Sequence, residues 1–298
     1  MSTATIAAAL GGAYRSGRWW RCICPVHGSC TGRSATLALR DGAGGLIVHC
    51  HAECTRDAIL AELRRLHLLD GSGDYSGEAP PAADPRERER RIEIARRIWG
   101  TGKDARGTPV ARHLAARGID REPPPCLRWA PRCWHSGERA ELPAMLARVD
   151  GPDAEMCGVH RTYLARDPDG TWHRRDRASL GPIAGGAVRL APAGEALVVG
   201  EGIESTLSAM ILMRRPGWAA LSTSGLIGLI LPPEVRHVIV CADNDEPKSG
   251  RKTGAGQKAA RDAALRWASE GRRVCVVTPD RANSDMNDLL REGRRGAA

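Results

Sequence analysis

The 298-residue chain contains 42% apolar and 27% charged residues, which is enough to bury an ordinary core in two or three compact units. Its net charge of +9 favours a polyanionic partner such as nucleic acid, although an arginine-rich surface without that role would give the same excess. No stretch approaches the roughly 18 uncharged apolar residues of a membrane span, and no basic residues precede the short apolar patch near the start. We therefore expect a cytoplasmic protein with no membrane partner.

Two pairs of metal-binding residues flank a predicted hairpin near the start of the chain. Cys24 and His27 are separated by two residues, and Cys50 and Cys54 by three. Short strands predicted near 36–40 and 46–49, joined by a glycine turn, would bring the two pairs together. Three thiolates and one imidazole make a closed tetrahedral Zn²⁺ site, so we expect a structural zinc ion.

Two alternatives to this ligand set remain open. A chain with ten cysteines could carry a chance scatter of buried thiols. Residues close enough to replace one of the four ligands are Cys22, Cys30, His49 and His51.

The same stretch resembles a known domain. CPVHG, the hairpin, VHCHAEC and the amphipathic helix predicted within 55–69 are similar to the N-terminal zinc-binding domain of bacterial and phage primases. The family usually has two residues inside the second pair; the three found here resemble the plasmid- and phage-borne relatives. The resemblance implies a partner, the single-stranded DNA template. Trp19 and Trp20 could stack on its bases, with packing on the metal site as the alternative.

A linker and a basic middle segment follow. Residues 70–88 are rich in Gly, Pro, Ser and Asp and lack apolar periodicity, which is typical of a linker. Helical spacing predicts two short helices near 94–99 and 110–115, and residues 120–190 are predicted to form strands with a hairpin turn at Asp169-Gly170. HLAARGI, LRWAP, GVHRTYL and GGAVRL resemble the segment before the catalytic domain of plasmid and phage primase-like proteins, which makes Arg161 and Arg189 candidate phosphate contacts.

Three apolar strands in the C-terminal part each lead into acidic residues. Glu201 follows the run 196–200, Asp243 and Asp245 follow 238–241, and Asp285 comes after 272–279. Because helices are predicted between these strands, the sheet should be parallel, with its carboxyl ends on one edge. The four carboxylates would then repel one another unless Mg²⁺ or Mn²⁺ lies among them, a site suited to nucleotidyl transfer. Acidic residues that merely collect in surface turns are the alternative.

These acidic turns also resemble a known domain. GEGIES, CADND and SDMND are similar to the Toprim domain shared by bacterial-type primases, topoisomerases and some nucleases. The resemblance implies a Rossmann-like fold, an acid–base or metal-binding role for Glu201, and a metal pair formed by Asp243 and Asp245. Glu204 and Asp285 match further acidic positions less closely. Lysines near this region that could steer a triphosphate or template, or simply keep a loop soluble, are Lys248, Lys252 and Lys258.

The predicted order is a zinc-binding domain at 1–69, the linker at 70–88, the middle segment at 89–190 and a Toprim catalytic domain at 191–298. The expected fold class is α/β: the Toprim sheet flanked by helices, preceded by a mixed α+β segment and a small zinc-ribbon-like β domain.

This order is similar to a bacterial-type DNA primase without its helicase. We expect an enzyme that joins nucleoside triphosphates into short primers on single-stranded DNA, for a phage, plasmid or integrated element and with a possible separate helicase. A Toprim-type nuclease and a non-catalytic single-stranded DNA-binding replication factor are the alternatives.

Overall fold

The structure is a computed structural model that describes residues 2–28, 35–42, 45–52, 54–69, 85–246 and 254–295. The chain divides into two compact units, 1–84 and 85–298. In the described ranges, no helix combines the length and apolar character needed to cross a bilayer.

The first unit is a small antiparallel sheet with a helix at each end of its sequence. Its elements are α1 (Thr3–Leu10), β1 (Tyr14–Ser16), β2 (Trp19–Cys22), β3 (Leu37–Gly42), β4 (Gly45–Cys50) and α2 (Arg56–Arg65). The four strands pair in chain order. Leu37 and Leu39 alternate onto the face that packs against Ile6 of α1 and Ile59 of α2. This architecture confirms the predicted zinc-ribbon-like β region.

The second unit begins with a five-stranded antiparallel sheet. Its elements are α3 (Pro85–Gly100), β5 (Lys103–Asp104), α4 (Pro109–Ala116), β6 (Leu127–His135), β7 (Ala140–Asp150), β8 (Met156–Arg166) and β9 (Trp172–Leu180), with the strands paired in chain order. The predicted hairpin turn is confirmed, since Gly170 adopts φ +90° between β8 and β9. Helix α3 begins at Pro85, inside the stretch predicted as linker, because proline suits the first turn of a helix.

A second sheet of five strands completes this unit. Its elements are β10 (Val188–Arg189), β11 (Ala196–Gly200), α5 (Ile203–Met213), β12 (Gly217–Ala219), α6 (Thr223–Gly228), β13 (His237–Cys241), α7 (Ala255–Ser269), β14 (Arg273–Val277) and α8 (Met286–Arg295). The strand order is β10-β12-β11-β13-β14, with only β10 antiparallel to its neighbour. The predicted α/β sheet flanked by helices is therefore confirmed.

Side-chain alternation in β11 gives this sheet two buried faces. Leu197 and Val199 pack with Trp267 of α7, whereas Val198 packs with Ala209 of α5 and Met286 of α8. Fully burying an aliphatic side chain of this kind contributes about 1.5–3 kcal/mol. Because helices cover both faces of the sheet, polar residues collect at the carboxyl ends of the strands.

The two sheets of the second unit share a hydrophobic cluster. Leu114 of α4 packs with Leu207 of α5 and Leu290 of α8, together with strand residues such as Met145 and Leu164. Helix α4 lies between β5 and β6 of the antiparallel sheet in the chain. It is therefore packed against the two helices that follow Glu201 and Asp285.

Candidate functional site

Four side chains of the first unit form a compact cluster able to hold a metal ion. Their ligand atoms, on Cys24, His27, Cys50 and Cys54, all lie within 4.8 Å of one another. Nδ1 of His27 lies 3.0 Å from Sγ of Cys54 and 3.9 Å from Sγ of Cys50. Cys24 and His27 lie on a tight turn closed by the Gly28 N–H to Cys24 C=O bond of 2.8 Å, and Cys50 ends β4. The structure thus brings the two predicted pairs together.

The surroundings of this cluster fit a zinc ion. Nε2 of His27 lies 3.0 Å from Oγ1 of Thr36, so the ring can donate there while Nδ1 faces the thiols. The Ala52 N–H donates to Sγ of Cys50 at 3.4 Å, which favours a thiolate. A hydrogen bond between the two thiols lowers the pKa of Cys50 and raises that of Cys24. One cysteine is thereby prepared for coordination, and the donor set suits Zn²⁺.

Three of the four alternative ligands lie in the described part of the chain, outside the ligand cluster. Burial raises the pKa of Cys22 to about 12, and its side chain lies in the core of the unit. The rings of His49 and His51 pack edge to face, 4.7 Å between centroids, and His51 contacts Arg21. Cys30 lies outside the described residues. Among the described residues, the predicted set is therefore the one that the structure assembles.

In the second unit, acidic residues follow β11 and β13 at the same edge of the sheet. Glu201 comes directly after β11, and its backbone carbonyl accepts a 2.8 Å hydrogen bond from the Leu221 N–H. Asp243 and Asp245 lie on the loop after β13. Asn244 between them joins that loop to the one carrying Asp285, since its N–H donates to the Ser284 carbonyl at 2.9 Å. Parallel pairing of β11 with β13, and of β13 with β14, therefore brings the three acidic turns to one edge.

The carboxylates are close enough to perturb one another. Burial raises the pKa of Asp243 to about 7, and the charges of Glu201, Asp285 and Asp245 add to the shift. Burial also raises the pKa of Glu201, which the Arg177 charge lowers and the Asp245 charge raises. Such mutual repulsion is what a bound divalent cation relieves, and carboxylate oxygens are the donors that Mg²⁺ and Mn²⁺ prefer.

These carboxylates are spaced more widely than the ligand atoms of the Cys/His cluster. Within the described part of the chain, only the Cys/His set brings three or more ligand atoms within mutual coordination distance. Magnesium sites usually contain several waters and only one or two carboxylates, so a wider spacing is compatible with Mg²⁺. Glu201, Asp243 and Asp245 therefore fit such an ion by donor type and by electrostatics.

Comparison with known families identifies this part of the chain. The family model of the Toprim domain matches residues 196–296. These residues form a Toprim domain. A domain of unknown function (DUF7146) matches residues 89–190, the sheet that precedes the Toprim domain. A search of curated protein sequences found no match.

Three of the solved structures to which this chain is similar are of primases. The zinc-binding and RNA polymerase domains of Aquifex aeolicus primase are 13% identical, and the match covers all of this chain and 81% of that one with a TM-score of 0.45. The primase fragment of the bacteriophage T7 primase-helicase protein is 16% identical, covering 93% and 96%, with a TM-score of 0.39. A DnaG primase catalytic domain bound to single-stranded DNA is 14% identical, covering 72% and 81%, with a TM-score of 0.48. The Toprim assignment does not depend on these distant likenesses.

Two other acids near the Toprim site are engaged in structural contacts. Oδ1 of Asp285 accepts from the backbone N–H groups of Asn287 and Asp288, at 2.7 and 3.0 Å, and so caps α8. Oε1 of Glu204 lies 3.2 Å from Nε2 of His113, and both side chains are buried. Burial raises the pKa of Glu204, but the hydrogen bond and charge of His113 outweigh it and lower the pKa to about 2. Glu204 is therefore paired within the protein.

One of the three predicted lysines lies in the described part of the chain. Lys258 lies in the first turns of α7 with an exposed side chain and pairs with Asp262. Lys248 and Lys252 lie outside the described residues. Their suggested role stays a prediction.

A small polar pocket adjoins Glu201 and was not foreseen from the sequence. Its lining joins β8 and β9 to the first turn of α5: His160, Thr162, Arg174, Arg177, Glu201, Gly202, Ile203, Glu204 and Leu221. Nη2 of Arg177 lies 4.0 Å from Oε1 of Glu201. Nδ1 of His160 lies 2.8 Å from Oγ of Ser179, and burial lowers the His160 pKa to about 4, so this ring is neutral near pH 7. The pocket thus offers two cationic groups beside a carboxylate.

A β-bulge explains why both arginines reach this pocket. Residues three apart on a regular strand point to opposite faces. The β8–β9 register shifts between the pairs Leu164↔Arg174 and Tyr163↔Asp176, which leaves Arg175 as the extra residue. Arg174 and Arg177 therefore share a face.

The arginines proposed from the sequence lie elsewhere. Arg161 donates to the Trp134 carbonyl at 3.4 Å, and Arg189 donates to the Gly151 carbonyl at 2.6 Å. The Arg189 guanidinium also packs over the Trp218 ring, 4.3 Å from its centroid. Neither residue lines the pocket next to Glu201.

Proposed function

We propose that this protein is a DNA primase-like nucleotidyltransferase, which joins nucleoside triphosphates into short primers on single-stranded DNA. The observation that carries the proposal is the convergence of Glu201, Asp243 and Asp245 at one edge of a Toprim sheet, where burial and the neighbouring charges raise the pKa of Asp243 to about 7. A metal-dependent reaction at phosphate is the chemistry that this arrangement supports best.

Each group of the site has a role in this proposal. Glu201, Asp243 and Asp245 would hold Mg²⁺ or Mn²⁺, and Asp285 remains a candidate further ligand. When bound, the ion would activate the primer 3′-hydroxyl and neutralise charge on the incoming triphosphate. Arg174 and Arg177 would bind phosphate oxygens, since a guanidinium presents several donors to such a group.

Candidate triphosphate- or template-steering lysines are Lys248, Lys252 and Lys258.

The first unit would hold the template. Its β1–β2 hairpin presents Tyr14, 53% exposed, beside the exposed Arg15 and Arg18, a combination that can stack on bases and contact phosphates. Trp19 is unsuited to this role because it is 8% exposed and packs beneath the Arg40 guanidinium. A zinc ion held by Cys24, His27, Cys50 and Cys54 would keep the hairpin in place.

The biological setting is part of the proposal. The three-residue spacing between Cys50 and Cys54 is similar to that of plasmid- and phage-borne relatives, so we assign the protein to the replication of a phage, plasmid or integrated element. A separate helicase is the partner that such a layout calls for.

A single assay tests the proposal and separates its alternatives. The full chain is incubated with single-stranded DNA, labelled ribonucleotides or deoxyribonucleotides and Mg²⁺, beside Asp243→Ala. Template-dependent oligomers that disappear in the variant support a primase. Shortened template would instead indicate a Toprim nuclease, and DNA retention without any product would indicate a binding factor.

A further inference from the structure

Helix α4 contacts the Toprim domain through a buried histidine–glutamate pair. His113 of α4 is 2% exposed and Glu204 of α5 is 7% exposed. Nε2 of His113 lies 3.2 Å from Oε1 of Glu204, and Nδ1 lies 3.2 Å from the Trp172 carbonyl oxygen. The imidazole therefore links the strand β9 to the first turn of α5.

The hydrogen-bond partners of His113 determine where the protons of this pair lie. A carbonyl oxygen only accepts, so Nδ1 of His113 carries a proton. Nε2 and the Glu204 carboxylate then share a second proton, and the pair has no net charge. A buried carboxylate without this partner would have to pull away toward water or take up a proton, because burial of an unpaired charge is strongly unfavourable.

Two residues linked to the proposed metal site lie at the start of α5, one on each side of Glu204. Glu201 lies three residues before Glu204, and Ser205, the next residue after Glu204, lies close enough to the Asp243 carboxylate to lower its pKa. A shift of Glu204 would therefore move the backbone on both sides of it. Displacements of an ångström at such ligands are large enough to weaken binding and catalysis.

The other end of α4 contacts the Asp285 loop. The Arg117 carbonyl accepts a 2.6 Å hydrogen bond from Nδ2 of Asn287, which also donates to Oγ of Ser208 at 2.9 Å. Nη2 of Arg117 lies 3.8 Å from Oδ2 of Asp285. Helix α4 and its C-cap residue thus contact two of the three acid-bearing elements of the Toprim domain.

We propose that His113 is a positioning residue for the metal-binding carboxylates: it holds Glu204 and so fixes the turn that carries Glu201 and Ser205. The inference rests on the proposed metal-dependent function of these carboxylates. It assigns to the DUF7146 segment a direct part in shaping the Toprim site, and it makes Glu204 a structural partner of His113 and not a metal ligand.

Mn²⁺ binding to the zinc-loaded full chain, followed by electron paramagnetic resonance, tests the inference without any turnover. Asp243→Asn identifies the Mn²⁺ bound at the Toprim site. The double variant His113→Leu/Glu204→Met fills the same space without the hydrogen bond, and we expect Mn²⁺ to bind about 10-fold more weakly. The double variant His113→Gln/Glu204→Gln restores a neutral hydrogen bond and should stay within about 3-fold of wild type.

A second histidine offers a matched control. Nε2 of His135 lies 3.0 Å from Oδ2 of Asp176, and neither residue lines the pocket next to Glu201. His135→Gln should lower the melting temperature and leave Mn²⁺ affinity unchanged. If the Leu/Met variant does not melt cooperatively, Glu204→Asp takes its place with the same expectation, because its side chain is one methylene too short to reach His113.

Three outcomes separate this inference from the proposed function. Wild-type Mn²⁺ affinity in a folded Leu/Met or Glu204→Asp variant would overturn the inference alone. A wild-type chain that binds Mn²⁺ but makes no oligomers would overturn the primase proposal and leave the comparison of variants valid. A wild-type chain with no Asp243-dependent Mn²⁺ would overturn the inference, because no ion would be there to position.

Discussion

The Ser205 side chain lies close enough to the Asp243 carboxylate to lower its pKa, and so it couples the first turn of α5 to the loop after β13. This interaction stabilises the charged form of Asp243, whereas burial and the charges of Glu201, Asp285 and Asp245 favour the protonated form. The pKa of Asp243 is therefore set by opposing effects of its neighbours in the Toprim site.

Asp243→Asn should stabilise the protein in buffer free of Mg²⁺ and Mn²⁺. The pKa of Asp243 is raised from 3.8 to about 7, so the folded state binds more protons than the unfolded state between these values. The stability that Asp243 contributes is thus present at low pH and is lost as the pH rises toward 7, by at most about 4 kcal/mol. The variant should show a flatter decline in melting temperature from pH 5 to pH 8.

Ser205→Ala should change the dependence of melting temperature on pH in the opposite direction. Loss of the Ser205 hydroxyl should raise the pKa of Asp243 further, so the decline in melting temperature with pH should become steeper. An Asp243→Asn variant whose melting temperature follows the wild-type profile would contradict the assignment of the pH effect to this carboxyl.

Cys24→Ser should release zinc and unfold the first unit. In small zinc domains, zinc binding supplies on the order of 10–16 kcal/mol to folding, so loss of a ligand removes most of the driving force. We expect one zinc per wild-type chain and none in the variant, measured by metal analysis after gel filtration, with residues 2–69 becoming sensitive to protease.

Cys22→Ala is the matched control for that experiment. Cys22 is as deeply buried as Cys24 and belongs to the same core, but it lies outside the ligand cluster. It should keep one zinc per chain and lose only about 1–2 kcal/mol of stability. Equal zinc loss in both variants would mean that the ligand set is wrong.

The sequence predicts the parts of the site that depend on local pattern. Glu201, Asp243 and Asp245 each follow a short apolar strand, and the rule that parallel strands end at one edge is enough to bring them together. Cys24 and His27 form a knuckle recognisable from spacing alone. Strand β12 escaped prediction because its three residues are too short to show a period.

The remaining site residues depend on contacts that local pattern does not encode. His113 and Glu204 are 91 positions apart, and neither has a neighbour in sequence that indicates the other. Arg174 and Arg177 share a face only because of the bulge at Arg175, and a regular strand would separate them. The arginine-rich run 174–177 is the one signal that could have drawn attention to β9.

Arg177→Gln should weaken nucleotide binding with little effect on folding. Its side chain is 46% exposed and lies 4.0 Å from Glu201, so the pair contributes at most about 1 kcal/mol to stability. A hydrogen bond from a guanidinium to phosphate contributes about 1.5–3 kcal/mol, which corresponds to a rise in nucleotide KM of roughly 10-fold or more. Steady-state primer synthesis measures KM and kcat separately.

Arg175→Gln is the control for the loss of positive charge. Arg175 is the bulged residue, and its side chain pairs with Glu138, 2.5 Å from Nη2 to Oε2. The nucleotide KM of this variant should match the wild type. Equal increases in both variants would indicate a general charge effect and not binding in the pocket.

Gly200→Ala should distort the turn between β11 and α5. A Cβ atom at this position would lie 2.5 Å from Oγ1 of Thr206, well inside van der Waals contact. Thr206 is fully buried and its hydroxyl donates to the Gly202 carbonyl at 2.6 Å, so it cannot move aside freely. We expect a loss of about 1–3 kcal/mol in urea unfolding, and weaker Mn²⁺ binding because Glu201 is the next residue.

Thr206→Ala should rescue this variant if the clash is the cause. Without Oγ1, the nearest Thr206 atom to the added methyl is Cβ, at 3.5 Å, an ordinary contact. Thr206→Ala alone removes buried atoms and should itself cost about 1–2 kcal/mol. The double variant should therefore be more stable than the sum of the two single losses allows, by at least about 1 kcal/mol, and should recover Mn²⁺ affinity. Additive losses would show that the glycine is required for a reason other than its contact with Thr206.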